Sequence, residues 1–178
     1  MRGSTRCVRK VQIDIGVGDA VHPAPTIIQY PVLLDEELIR LNAYPVEASI
    51  AEKFHAMVHL DMRNSRRKDF YDIWALSQTL PFRGETLSRA IRETFERRET
   101  AVPKDTPTAV TERFFADASH IRQWAAFAKP IAGDEVAADF GMVVQAIAAF
   151  LLPIINAAAE LAISEANWPP GGPWLENS

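Results

Sequence analysis

The stretch from Tyr44 to Leu80, YPVEASIAEKFHAMVHLDMRNSRRKDFYDIWALSQTL, predicts two helices joined by a polar, basic turn. Pro45 suits a first helical turn, where a missing N–H removes no hydrogen bond. At 100° per residue, the apolar side chains of each half fall on one stripe. These residues are Val46, Ile50, Met57 and Leu60 in the first helix, and Ile73, Leu76 and Leu80, flanked by Phe70 and Trp74, in the second.

Each predicted helix carries one charged residue inside its apolar stripe. Lys53 lies in the middle of the first stripe, and Asp69 lies at the centre of the second. An unpaired buried charge costs several kcal/mol, so these side chains need each other, a ligand or trapped water. Two interpretations are open: a structural Lys53–Asp69 ion pair, or a pocket in which Lys53 meets an anionic substrate and Asp69 orients it or handles a proton. Asp72, at the rim of the stripe, could replace Asp69 in either.

Composition describes a soluble globular protein with one sizeable core. The chain has 178 residues, of which 48% are apolar, enough for one domain or one and a half. Its one cysteine, Cys7, excludes a disulfide framework. A net charge of −4 argues against a general nucleic-acid coat. The N-terminus MRGSTRCVRK lacks the apolar segment of a secretory signal, so we expect a cytoplasmic protein.

The rest of the N-terminal half predicts a small sheet. In Val8–Val17 (VRKVQIDIGV) apolar and polar residues alternate, which is typical of a half-buried strand. Prolines surround Ile27–Tyr30, which favours a short strand at a sheet edge. Leu38–Tyr44 predicts another short extended segment before the helix pair.

The C-terminal half predicts further helices after a linker. Thr86–Arg98 has the apolar spacing of a third helix. Residues 101–110, AVPKDTPTAV, contain two prolines and no periodicity, as in a linker. Thr111 is a predicted N-cap of a fourth helix that ends before Pro130.

The last predicted helix lies within Asp134–Ile163. Its apolar run approaches membrane-span length, but polar residues and Pro153 interrupt it. We therefore predict a buried helix that is broken or kinked near Pro153, and no membrane anchor. The tail NWPPGGPWLENS predicts extended chain, either clamped onto the body by its two tryptophans or loose.

Three segments together resemble the nucleotidyltransferase AbiEii/AbiGii toxin family. They are QIDIGVGD at residues 12–19, YPVEASIAEKF at 44–54 and RRKDFYDIWAL at 66–76. The most specific parts are the Ala-Glu-Lys that ends at Lys53 and the Lys-Asp-Phe-Tyr-Asp from Lys68 to Asp72. The resemblance implies an α+β, predominantly helical chain, in which a DNA polymerase β-like nucleotidyltransferase core precedes a helical C-terminal region.

The same resemblance implies a domain organisation and an activity. Residues 1–100 would form a partial core around the helix pair, 101–110 a linker, and 111–178 the helical C-terminal region with its tail. Members are toxins of bacterial toxin–antitoxin and phage-defence systems, and some transfer a nucleotide from an NTP to tRNA. NTP, Mg²⁺, an RNA acceptor and a cognate antitoxin are therefore the implied ligands and partners.

The resemblance also shows a departure at the metal-binding carboxylates. Such transferases hold Mg²⁺ with clustered carboxylates, and the family places a Gly-Ser turn and a D-x-D or D-x-E pair upstream. Gly3-Ser4 and Asp14 imitate that spacing, but the position two residues after Asp14 is Gly16. Asp14 therefore resembles the third, later carboxylate, and the chain would begin after the first catalytic half. We expect self-association or a partner supplying that half, and no nucleotidyl transfer by this chain alone.

Site residues follow from the resemblance and the helix pair. Asp14 is expected to hold metal; Lys53, Asp69 and Asp72 to form the catalytic site; and Arg66, Arg67 and Lys68 to join Lys53 in binding substrate. For the basic turn, a solvated surface and a phosphate or RNA contact are both open. The rival function is an inactive remnant that binds a nucleotide, an antitoxin or RNA.

Two histidines give a weaker signal. His55 and His59 stand at i and i+4, a spacing that can bind zinc on a helix. No glutamate follows the first histidine and no third ligand is near. By helical angle they lie on the side opposite Lys53, which favours solvated side chains. Glu52 is likewise most simply an exposed helix charge.

Overall fold

The computed structural model describes residues 26–31, 38–129 and 139–176. Asp14, the predicted strand Val8–Val17 and the Gly3-Ser4 turn lie outside these residues. The helices are α1 (Val46–Leu60), α2 (Arg67–Thr79), α3 (Gly84–Arg97), α4 (Glu112–Phe115), α5 (Ala118–Ala128) and α6 (Phe140–Ala159). The strands are β1 (Thr26–Pro31), β2 (Leu38–Ala43), β3 (Phe82–Arg83) and β4 (Asn167–Trp168). The composition is predominantly helical with few short strands, compatible with the predicted α+β class.

The predicted helix pair is present as α1 and α2, but the buried face of each is broader than the apolar stripe. In α1, Phe54 is fully buried beside Ile50 and Met57, although it was not in the predicted stripe. In α2 the buried face is centred on Ile73 and Trp74, and Leu80 is 37% exposed. Packing against neighbouring helices therefore rotates the buried face of α2 away from the predicted stripe.

The core forms where α1, α2, α3 and α6 pack together. α6 contributes the most buried side chains: Phe140, Val143, Val144, Ile147, Phe150, Leu151, Ile154, Ile155 and Ala158. Among the described residues, α6 has the length and hydropathy to cross a membrane, but a core helix has the same composition and this one lies in the core. The helix continues through Pro153, so of the two predicted alternatives, a break or a kink, the break does not occur. Pro153 is exposed, where the lost N–H bond leaves no buried group unpaired.

The predicted fourth helix is divided in two. Thr111 makes no capping bond to α4, because its hydroxyl donates to the Thr108 carbonyl at 2.7 Å. The chain then turns at Asp117, whose carboxylate accepts from the backbone N–H of Ser119 at 2.8 Å and caps α5. Residues 101–110 are irregular except for a 3₁₀ turn, Thr108–Val110, whose last two residues are buried. The domain boundaries stay a prediction.

The two tryptophans clamp the tail onto the helices, as one of the two interpretations expected. Trp168 donates its indole N–H to the Ser77 carbonyl at 2.7 Å, and Trp174 donates to the Phe150 carbonyl at 2.8 Å. β4 pairs antiparallel with β3, which places Trp168 opposite Phe82. The tail therefore closes one end of the core between α2 and α6.

β1 and β2 form an antiparallel hairpin that pairs Thr26 with Ala43. Its apolar side chains are exposed: Ile27 by 59%, Leu38 by 53% and Ile39 by 48%. Within residues 26–31, 38–129 and 139–176 this sheet has two strands. A sheet of two strands is at best marginally stable in water, and backbone groups on its outer edges can pair with another strand.

We predict that this hairpin mediates self-association with a second copy of the chain. Replacing Ile39 and Leu41, which share one face, with lysines should shift the chain towards monomer, because charge on a strand blocks edge-to-edge pairing. Light scattering between low and high micromolar concentrations measures this shift. A monodisperse unsubstituted monomer throughout that range would contradict the prediction.

Candidate active site

Lys53 lies between two carboxylates of α2. Its Nζ is 3.0 Å from Asp69 Oδ1 and 2.8 Å from Asp72 Oδ2. The predicted Lys53–Asp69 contact is therefore present, and Asp72 joins it as a second partner. The three side chains are 20%, 15% and 21% exposed, so they lie at the edge of the core. The contact is common to both interpretations, the structural ion pair and the substrate pocket.

Two further cations adjoin the same carboxylates. Lys68 Nζ is 2.7 Å from Asp72 Oδ2, and Arg66 Nη1 is 3.9 Å from Asp69 Oδ2. Among the residues that the structure describes, three cations thus face two carboxylates, which gives this cluster one net positive charge. An ammonium has three N–H donors, and Lys53 uses two on the carboxylates. Among residues 26–31, 38–129 and 139–176, Asp69 and Asp72 are its carboxylate partners, so its third N–H can donate to a ligand.

The charges of this cluster support each other. Burial disfavours the charged form of Lys53, but the hydrogen bonds that its ammonium donates to Asp72 and Asp69 outweigh this effect and raise its pKa above 10.5. Burial likewise disfavours the Asp72 carboxylate, but hydrogen bonds from Lys53 and Lys68 lower its pKa below 3.8. Both groups are therefore ionised at neutral pH.

These shifts predict how stability depends on pH. The lowered pKa of Asp72 contributes stability above its unfolded pKa, which is lost as pH falls through the folded pKa. Asp72→Asn should therefore reduce the acid dependence of the unfolding midpoint below about pH 4. Thermal unfolding of both proteins from pH 2 to 7 measures this. Parallel curves over the whole range would contradict a stabilising role for the carboxylate.

Lys53 and Asp69 line an open cleft of about 690 Å³ over α1. The lining residues are Tyr44, Ser49, Glu52, Lys53, His55, Ala56, His59, Leu60, Arg66, Asp69, Arg98 and Thr100. α1 supplies the floor, the start of α2 supplies one wall, and the chain at the end of α3 supplies the other. The cleft thus combines a cationic end at Lys53 with polar and imidazole groups elsewhere.

Glu52 organises the second wall. Its Oε1 lies 3.0 Å from Arg97 Nη1 and its Oε2 lies 2.9 Å from Arg98 Nη2. The interpretation of Glu52 as a simple exposed charge is therefore wrong, since it ties the end of α3 to α1. This pairing holds Arg98 beside the cleft.

The two histidines also belong to this cleft. Lys53 and His55 are about 160° apart on α1, but the cleft extends around the helix and reaches both. His55 Nε2 lies 3.0 Å from the Thr100 hydroxyl, and the His55 and His59 rings stack with centroids 5.9 Å apart. The prediction of solvated side chains is confirmed at His59, which is exposed, whereas His55 is half-buried. Burial, helped by the charge of Arg98, lowers the pKa of His55 below 6.5.

Arg67 differs from the other basic residues of the turn, because it is buried. Only 4% of it is exposed, and its Nη2 donates to the Asn64 carbonyl at 2.6 Å and to Gln123 Oε1 at 3.1 Å. Its guanidinium lies 5.3 Å from the ring centroids of both Phe114 and Phe140. Burial lowers its pKa to about 10. The interpretation of the whole turn as solvated is therefore wrong at Arg67, whereas Arg66 and Lys68 are exposed.

The described residues do not form a magnesium site by themselves. Residues 26–31, 38–129 and 139–176 contain no group of three His, Cys, Asp or Glu side chains that could hold a metal ion. The carboxylates of Asp69 and Asp72 are already engaged by Lys53. Asp14, the predicted metal ligand, lies outside this part of the chain, so its role stays a prediction.

Arg98 and Thr100 were missed by the sequence analysis. They follow α3 and reach the cleft from more than forty positions away, through contacts with Glu52 and His55. The Thr86–Arg98 helix was predicted, but its apolar spacing carries no information about which polar residues at its end meet α1. Only a tertiary contact could have identified them.

Comparison with known proteins gives a family but no nearer relative. No curated protein and no solved structure matches the chain. The model of one family, described as nucleotidyl transferase AbiEii toxin, type IV toxin–antitoxin system, matches residues 6–146. This span covers well over half of the chain, including α1, α2 and the cleft. The chain therefore belongs to the AbiEii family and is a nucleotidyltransferase-like toxin of a type IV toxin–antitoxin system.

Proposed function

We propose that this protein binds an NTP in the cleft over α1 for transfer of a nucleotide to an RNA acceptor, for which tRNA is our candidate. Transfer itself would need carboxylates beyond those of this chain, because Gly16 offers no metal ligand beside Asp14. The observation that carries the proposal is Lys53, which lines the cleft and, within the described part of the chain, contacts Asp69 and Asp72 with two of its three N–H donors. A charged hydrogen bond from such an ammonium suits a phosphate oxygen. In this proposal the core has a DNA polymerase β-like fold. The protein acts in phage defence, in the cytoplasm.

The proposed roles follow from the contacts. Lys53 binds the triphosphate, and Asp69 and Asp72 hold its ammonium at the edge of the core. Arg66 is exposed at the same wall and adds positive charge where the phosphates enter. Lys68 also pairs with Asp72. The two carboxylates therefore do not fully compensate the positive charge of Lys53. Arg67 supports this arrangement from the core side, where it fixes the first turn of α2.

The family implies a divalent metal, for which Mg²⁺ is our proposal, with Asp14 as a ligand. When bound, such ions stabilise the charge of the triphosphate and the attacking hydroxyl. The described residues alone do not fit this group, because the carboxylates of the cleft are bound to Lys53. We therefore assign no catalytic step to a metal at Asp69 or Asp72.

A second candidate function is nucleotide or RNA binding without turnover. It is favoured by the engagement of Asp69 and Asp72 with Lys53, which leaves neither carboxylate free to act as a base. The antitoxin that the family implies would then act on a binding protein. We propose that antitoxin as the cognate partner in either case.

Label transfer distinguishes the two candidates. The purified chain is incubated with each labelled NTP, Mg²⁺ or Mn²⁺ and total tRNA, and RNA-bound label is counted. Transfer that Asp14→Ala abolishes supports the transferase. NTP binding by calorimetry without any transfer supports the binding function. Absence of both binding and transfer would contradict the proposal as a whole.

A further inference from the structure

We infer that the His55–His59–Thr100 side of the cleft is a nucleobase subsite, in which the His59 ring stacks on the base and Thr100 with His55 contacts its polar edge. This inference rests on the proposed NTP binding and adds to it the part of the cleft that recognises the base. It concerns residues that play no part in the Lys53 cluster.

The first argument for the subsite is the position of His59 relative to Lys53. The two residues are six positions apart on α1, which is about 9 Å along the helix axis. Both line the same cleft. A nucleotide whose phosphates meet Lys53 can therefore extend along α1 and place its base near His59. Arg98, held by Glu52 at 2.9 Å, lies along the same side.

The second argument is that the ring of His59 is exposed and can stack on a base. His59 is exposed, and one face of its ring is backed by His55, whose ring is inclined to it by only 11°. His55 in turn packs edge-on against the buried Phe95, with centroids 4.9 Å apart. The three rings form a supported stack that ends at an exposed imidazole. Such a surface suits a base, because every nucleobase has a π-face.

The third argument comes from the hydrogen bonds of the Thr100 hydroxyl. Its hydroxyl donates to the Phe95 carbonyl at 3.3 Å and accepts from His55 Nε2 at 3.0 Å. In this arrangement Nε2 of His55 carries a proton, and burial lowers the pKa of the ring. Thr100 is exposed, so its second lone pair can accept from an amino group on a base. A polar contact of this kind discriminates between bases, whereas stacking does not.

Calorimetry with NTPs and with inorganic tripolyphosphate tests the inference. His59→Ala should weaken binding of NTPs by roughly fivefold to 150-fold, whereas His59→Phe, which keeps an aromatic surface, should restore most of it. Tripolyphosphate has no base, so its affinity should stay unchanged in both variants. Thr100→Val should change the ratio of affinities among ATP, CTP, GTP and UTP by roughly twofold to tenfold.

The outcomes separate this inference from the proposed function. If NTPs and tripolyphosphate bind but neither substitution changes NTP affinity or preference, the subsite is wrong and NTP binding stands. An equal loss of affinity for NTPs and tripolyphosphate in His59→Ala would also overturn it, since His59 would then contact phosphate. If neither ligand binds the unsubstituted protein, the proposed function itself fails. Thermal unfolding of each variant shows that the fold is retained.

Discussion

Lys53→Met should weaken NTP binding by roughly tenfold to 150-fold, the range for a hydrogen bond to a charged group. Methionine keeps the unbranched stem that packs beside the apolar face of α1 and removes only the ammonium. Asp69 keeps Arg66 nearby and Asp72 keeps Lys68. Because each carboxylate keeps a cation nearby, we expect the free energy of unfolding to fall by about 1 kcal/mol, well short of the roughly 3–5 kcal/mol for a buried pair whose loss leaves a charge unpaired.

Lys104→Met is the matched control, because Lys104 is exposed on the irregular segment after α3 and does not line the cleft. It should change neither NTP affinity nor stability. For Lys53→Met, the free energy of unfolding and the NTP affinity together decide between the two interpretations of the cluster. A loss of roughly 3–5 kcal/mol, as for a broken buried pair, with unchanged NTP affinity would identify a structural ion pair.

The largest loss of stability is expected for Trp168→Ala, at roughly 3–5 kcal/mol. Trp168 is 4% exposed and packs edge-on against Phe150, with ring centroids 5.0 Å apart. Its removal leaves a cavity between α2 and α6 and deprives the Ser77 carbonyl of the indole N–H. Thermal or denaturant unfolding measures the loss.

Leu161→Ala serves as the control, since Leu161 is 76% exposed just after α6. It should change the free energy of unfolding by less than about 0.5 kcal/mol. Trp168→Phe separates the two contributions, because it refills part of the cavity but cannot donate to Ser77. If Trp168→Ala and Leu161→Ala had equal effects, the tail would not be part of the core.

The helix pair could be predicted from sequence because its signal is local. The apolar spacing defined α1 and α2, and two charges inside those stripes indicated that Lys53 and Asp69 need partners. The structure brings them to 3.0 Å. The exposed hairpin strands were also predictable, because prolines and short apolar runs mark them. The apolar periodicity does not indicate the chemical role of Lys53 and Asp69.

Arg67 shows why the rest could not be predicted. In sequence it is one of four basic residues in and after the turn, with Arg63, Arg66 and Lys68, and nothing local distinguishes it from Arg66. Its burial depends on Phe114 and Phe140, which supply aromatic faces from α4 and α6. Three-dimensional contacts of this kind also brought Arg98 and Thr100 to α1. Local pattern therefore predicted the elements, whereas distant contacts determined which polar groups meet.

The position of α6 means that the family segment and the folding unit do not coincide. The family match ends at residue 146, inside α6, but buried residues of the same core continue to Ile155 and then to Trp168. A chain cut at 146 would keep the cleft residues and lose Phe150, which packs on Phe82 with ring centroids 5.1 Å apart. Cooperative unfolding should therefore extend through the tail, and substitutions beyond the matched segment should alter the toxin as a whole.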